Sequence, residues 1–191
     1  MKKLSFLIVL IIALFTFTSC KDKEKELTPE ERLNTILTDI NTNLSDCTSV
    51  VYNSSIKAGE VLVNDSTKNV LIYKQSDGLL SLTITTTNHT LGSDFTLQEQ
   101  VLNDFIDGEA PEDLFGYKFT YDAFSSIEIT DSSIVGVVKS AEVSNVLNTS
   151  VNNSSDLNVT INFVDNKITG FSFSYTSTNN FSISISATYN Y

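Results

Sequence analysis

The last thirty-five residues restrict the fold most tightly. Leu157, Val159, Ile161 and Phe163 alternate with Asn158, Thr160 and Asn162. Phe171, Phe173 and Tyr175 alternate with Ser172, Ser174 and Thr176, and Phe181, Ile183, Ile185, Ala187 and Tyr189 alternate with Ser182, Ser184, Ser186, Thr188 and Asn190. Strict period-two alternation describes half-buried antiparallel strands, each with one apolar face. Asp165-Asn166 reads as a two-residue hairpin loop that sets Val164 opposite Lys167 and Phe163 opposite Ile168. Continued without interruption, that register places Ser172 opposite Val159 and mixes the faces. One extra residue at Gly170 repairs it, pairing Val159 with Phe173 and Leu157 with Tyr175, so a β-bulge is expected there.

Upstream the pattern differs. Thr28-Pro29-Glu30-Glu31 is a helix start: Thr28 caps, Pro29 takes the first helical position and Glu31 reaches back. Leu33, Ile36, Leu37, Ile40 and Leu44 then recur on one helical face to about Ser45. Strands are expected at 49–56, 69–73, 79–87, 117–121, 126–130 and 134–140, with Ser76-Asp77-Gly78 as a turn. A second helix is expected from Thr96. Thr96 and Glu99 have capping-box spacing, Leu97, Val101, Leu102, Phe105 and Ile106 share a helical face, and Gly108 closes it. Residues 127–136 and 161–170 also match at an offset of 34, as a decayed repeat or as convergent hairpin chemistry.

Composition removes whole classes of function. Two Cys and one His are too few for a zinc finger, a disulfide scaffold or a Cys-ligated iron–sulfur cluster. A net charge of −11 repels phosphate backbones, which argues against nucleic acid as a partner. Hydrophobic residues make up 41% of the chain, too many for a disordered protein. Ser, Thr and Asn are about a third of it, so the polar side of the sheet is hydroxyl and amide rather than charge.

The N-terminus carries an address. Met1-Lys2-Lys3 is positive, and Leu4 to Thr18 is an apolar run of roughly 22 Å as a helix, short of the ~30 Å hydrocarbon core. This describes a secretory signal peptide over residues 1–19. Phe17-Thr18-Ser19-Cys20 resembles the lipobox of bacterial lipoproteins, with Phe17 where that family prefers Leu, as in the looser lipoboxes of Bacteroidetes and spirochaetes. The resemblance implies cleavage before Cys20, acylation of Cys20 and a membrane anchor, with two or more acyl chains needed for stable attachment. Loss of Lys2 and Lys3 moves the net charge from −11 to −13. Residues 20–27 then read as the acylated Cys and a charged tether, and 28–191 as one β-rich domain. The Lys21-Asp22 start resembles the charged surface-export signals of Bacteroidetes lipoproteins, which implies the outer membrane in a Gram-negative host; a plain linker fits the same residues.

Candidates for chemistry are few. His89 is the lone histidine and has no nucleophile motif or HExxH-like spacing around it, so it reads as a surface or turn residue. Cys47 follows the end of the first helix, where the negative dipole end disfavours a thiolate, and reads as a small buried residue. Asp94, Glu99, Asp104, Asp107, Glu109, Glu112 and Asp113 form an acidic stretch without the ordered spacing of a calcium loop, and read as a solvated face. Lipidation at Cys20 is the one site the sequence supports; no catalytic, metal or cofactor residue is expected.

The fold class expected is α+β, mostly β. A curved antiparallel sheet, open or partly closed into a half-barrel, carries an N-terminal helix and a short middle helix. In element order this resembles lipocalin-like and lipoprotein-carrier half-barrels. The function expected is a membrane-anchored lipoprotein acting as a binding or interaction module at the cell envelope. Its partners are the membrane, through the lipid, and an envelope protein or glycan. The alternative is a carrier of a lipid or other hydrophobic ligand in the half-barrel. An enzyme is the least favoured class and would need His89 in a cleft beside several carboxylates.

Overall fold

The structure is a computed structural model and describes residues 27–191. The expected signal peptide, Cys20 and the expected tether up to residue 26 lie outside the described residues. Helix α1 (Pro29–Asn43) starts as its sequence dictates. The Glu31 N–H donates to Thr28 Oγ1 at 3.2 Å, and the Thr28 N–H donates to Glu31 Oε2 at 2.8 Å. Leu33 and Ile40 are fully buried, and Leu44 joins them from a 3₁₀ turn (Leu44–Asp46) that ends the helix.

Nine strands follow: β1 (Ser49–Ala58), β2 (Val61–Lys74), β3 (Leu80–Leu91), β4 (Leu97–Glu109), β5 (Phe124–Ile129), β6 (Ser133–Val138), β7 (Leu157–Val164), β8 (Lys167–Thr176) and β9 (Phe181–Asn190), with a short helix α2 (Val143–Val146) between β6 and β7. They form one open, curved antiparallel sheet in the order β4-β3-β2-β1-β9-β8-β7-β6-β5. Two meanders therefore run outward from a central pair. The first strand meets the last there, with Val50 opposite Tyr189 and Ile56 opposite Ile183. The Cys47 thiol donates to the carbonyls of Asn190 and Ser49 at 3.2 and 3.3 Å beside this junction, and burial raises its pKa.

The apolar faces of β5–β9 point under α1 and the 110–123 segment. Phe171 and Phe173 stack at 4.4 Å, and Tyr117 stands edge-on to both at 5.0 and 4.8 Å. Phe119 reaches Phe124 and Phe173, each at 5.8 Å. The expected strand at 117–121 is instead this strap. Its aromatic alternation is real, but its rings pair with the sheet while the Lys118 N–H donates to the Val146 carbonyl.

The helix expected from Thr96 is strand β4. It pairs with β3 from Leu91–Leu97 to Ser81–Asp107. The Thr96 N–H and hydroxyl go to Asp94 Oδ1 at 3.2 and 2.8 Å, so Thr96 closes a hairpin turn rather than capping a helix. Gly108 has φ +78 and is the extra residue of a bulge between Asp107 and Glu109. The short helix of the fold is α2, which starts 47 residues beyond Thr96, and both its buried side chains, Val143 and Val146, face the core.

At the β7–β8 hairpin, Asp165 and Asn166 have φ 49 and 61, the paired positive values of a two-residue turn. Phe163 pairs with Ile168 and Val159 with Phe173 as expected, and the shift falls beside Gly170 with Thr169 as the extra residue. Gly170 does not owe its place to a positive φ. A Cβ there would stand 2.7 Å from the Ala187 carbonyl oxygen of the adjoining strand. The matching hairpin at 127–136 has a different register: Ile129 pairs with Ile134 and Ile127 with Gly136 without a shift. Its turn is tied by the Thr130 hydroxyl, which accepts from the N–H groups of Ser132 and Ser133.

Candidate binding face

The face of the sheet away from the core is polar in rows that cross strand after strand. One row runs Thr160, Ser172, Ser186, Asn53, Thr67 and Thr87, from β7 through β8, β9, β1 and β2 to β3. The next runs Asn158, Ser174, Ser184, Ser55, Asp65, His89 and Glu99. Alternation along each strand sends these side chains outward because their neighbours fill the core. Local hydrogen bonds order part of the surface: the Thr67 hydroxyl donates to Asn53 Oδ1 and the Thr85 hydroxyl to Asn103 Oδ1, each at 3.0 Å. Shallow grooves open on this face, one of about 460 Å³ among Asn158, Ser174, Thr176, Ser182 and Ser184. Another of about 240 Å³ lies among Asn53, Ser55, Asp65, Thr67, Ser184 and Ser186, and one of about 350 Å³ among Ser126, Glu128, Val135, Val137, Asn158 and Thr160.

His89 sits inside the second row. Its Nδ1 is 2.6 Å from Asp65 Oδ1 and its Nε2 is 3.3 Å from Glu99 Oε2. The hydrogen bond to Asp65 raises its pKa most, exposure to partial desolvation lowers it, and Glu99 raises it further. With both ring nitrogens turned to carboxylates, the imidazole links β2, β3 and β4, and its protonated form is favoured. The imidazole is 36% exposed and lies on an open sheet face, flanked by two carboxylates rather than enclosed with several. His89, expected as a surface or turn residue past a strand at 79–87, lies within β3, and its partner Asp65 is not among the expected site residues. Counting outward from the Ser76-Asp77-Gly78 turn, which sets Lys74 opposite Leu80, carries Asp65 opposite His89 once β2 is extended to Val61.

The other candidate residues are dispersed. Cys47 is buried at the strand junction. The acidic stretch is drawn out along β4 and its flanks. Asp94 accepts from Thr96, which lowers its pKa, and Asp107 accepts from Ser81 and Gln75. Among the described residues no group of three or more His, Cys, Asp or Glu is arranged to hold a metal ion. Cys20 lies outside the described residues.

No family model matches the chain, and no curated protein matches it. The structure is similar to the crystal structure of LprF from Mycobacterium bovis, at a TM-score of 0.38 and 12% identity, covering 85% of this chain and 94% of that one. A likeness that loose carries no argument about the site.

Proposed function

We propose that this chain is a bacterial lipoprotein, acylated at Cys20 and held at the cell envelope, whose sheet domain is a binding module for a neutral polar partner, a glycan or the polar surface of a neighbouring protein. The observation that supports this is the outer face, where one row of Ser, Thr and Asn spans six strands and a second spans four before it reaches Asp65, His89 and Glu99. Hydroxyl and amide groups offer donors and acceptors without selecting for charge, which matches neutral sugars better than anionic polymers.

The two halves of the reading are tested separately. Growth with an alkyne fatty acid should label the wild-type chain and not Cys20→Ser; equal labelling sinks the anchor. Binding to envelope glycans should weaken when Ser172→Lys and Ser186→Lys crowd the central row. Binding that survives both changes removes the face as the site.

A hydrophobic-ligand carrier is a second reading with its own observation. Ile56, Ile183, Ile185 and Tyr175 stay half-buried on the inner face beyond the aromatic cluster and form one apolar strip across β1, β9 and β8. Native mass spectrometry of the full-length protein from cells should then show a lipid adduct that Ile183→Asp removes.

A further inference from the structure

The two edges of the sheet differ in kind. Strand β5 has six residues, a bulge at Ser125, and the start of α1 beside it, where Leu27, Pro29 and Arg32 share a groove with Ile127 and Ile129. Strand β4 has thirteen residues and nothing on its outer side among the described residues. Long bare edges are templates for pairing, and proteins ordinarily guard them with charges, Lys above all, or with Pro, bulges or covering segments; β4 carries acids, of which Asp104 faces inward. Between Leu97 and Asp107, β4 has no Lys, no Pro and no register shift.

The direction of its backbone is fixed. The Gly92 N–H donates to the Thr96 carbonyl at 2.8 Å, and the register from there to Asp107 is unbroken, so even-numbered residues turn toward β3. The N–H and C=O groups of Leu97, Glu99, Val101, Asn103, Phe105 and Asp107 therefore point outward. The Phe105 N–H has no strand to meet and is taken by Asp104 Oδ1 at 2.8 Å. The side chains of the same residues lie on the outer face, where Leu97, Val101 and Phe105 are 48%, 51% and 61% exposed.

We propose that β4 pairs antiparallel with β4 of a second copy of this chain about a two-fold axis at Val101, joining two sheets into one. The sequence is self-complementary about that residue. Leu97 meets Phe105 of the second copy, Val101 meets itself, Glu99 meets Asn103, and on the inner face Gln98 meets Asp104 and Gln100 meets Leu102. Within the paired stretch 97–105, apolar meets apolar on the outer face and both acids, Glu99 and Asp104, meet amides, the pairing that cross-strand energetics favour. Moving the axis to residue 102 sets Leu97 against Asp107 and Glu99 against Phe105. Moving it to Asn103 sets Glu99 against Asp107 twice. The symmetric contact closes on itself, so it ends at a dimer. Two chains this acidic repel at long range, so the pairing strengthens as salt screens them.

Disulfide mapping of the full-length chain in mild detergent tests the register. Directly bonded cross-strand residues stand about 5.5 Å apart at Cα, within disulfide reach. Val101→Cys should cross-link to a dimer under mild oxidation, and Asn103→Cys alone should not. A mixture of Glu99→Cys and Asn103→Cys chains should cross-link. The unsubstituted chain measures any background from Cys20. Sedimentation should show dimers that Val101→Lys weakens by about tenfold or more with an unchanged melting temperature. The proposal is overturned by monomers at all concentrations and salts, by equal cross-linking at 101 and 103, or by undiminished association of Val101→Lys.

Discussion

The carbonyl of Leu114 gives the sharpest test of how the strap is held. It ends a 3₁₀ turn (Pro111–Leu114), where backbone acceptors have no partner within the helix. Leu114 is buried beneath the sheet, and its oxygen accepts from two hydroxyls, Tyr189 of β9 at 2.9 Å and Tyr52 of β1. Tyr189→Phe or Tyr52→Phe keeps the rings against Phe171 and removes one donor, leaving the other. Each should cost about 1 kcal/mol, the net worth of one hydrogen bond. The double change strips a buried acceptor of both donors and adds its desolvation penalty of roughly 1–3 kcal/mol. The double variant should therefore cost about 3–5 kcal/mol, against about 2 for the summed singles. Urea unfolding of the four chains reads this as a midpoint shift, near 0.5 M for each single and about 1.5–2.5 M for the double at a slope of ~2 kcal/mol/M. If the double cost equals the sum of the singles to within ~0.5 kcal/mol, water reaches the carbonyl and the reasoning is wrong.

Three further outcomes follow from other parts of the molecule. Burial pushes Tyr52 and Tyr117 up to about 12, so above pH ~10 the unfolded chain releases protons that the folded chain keeps, and stability falls as pH rises toward 12. The urea midpoint should hold from pH 7 to 9 and drop steeply beyond 10; a flat profile to pH 12 contradicts their burial. Gly170→Ala drives a Cβ to 2.7 Å from a backbone oxygen and should cost about 1–3 kcal/mol in thermal or urea unfolding, whereas Gly136→Ala meets Ser126 O at the same distance and should cost a similar amount. Either glycine replaced without loss would show that the neighbouring strand moves freely. The NMR titration midpoint of His89 should move down in Asp65→Asn, because the Asp65 hydrogen bond is the largest cause of its raised pKa; no movement would mean that the pair does not persist in solution.

Local signals made much of the fold readable. The Thr28–Glu31 capping box, the Asp165-Asn166 turn and the alternation of the last three strands are self-contained, because each is decided by residues a few positions apart. The bulge beside Gly170 was also legible, since faces that must not mix constrain the register. Its cause was not: the carbonyl that excludes a side chain there belongs to Ala187, seventeen residues away. The 117–121 strap was misread for the same reason. Tyr117 and Phe119 alternate as a strand does, and only the distant rings of Phe171 and Phe173 decide that they pack as a lid. The polar rows were partly visible as Ser, Thr and Asn periodicity. Their width depended on β1 meeting β9, a contact between the two ends of the domain that no local pattern encodes.

The misreading of β4 bears on its role. Apolar residues at 97, 101, 102, 105 and 106 fit one face of a helix. They fit a strand equally when it is divided by face: Leu97, Val101 and Phe105 go outward, and Leu102 and Ile106 inward. A strand with one solvated face would have no need of the first set, and a strand buried on both faces would not carry four acids between 99 and 109. Helix-like spacing in a strand thus marks apolar groups placed on the solvent side at every fourth position, with polar groups between them. Spaced in that way about Val101, they match their own reverse, and that symmetry is what an edge requires in order to pair with a copy of itself.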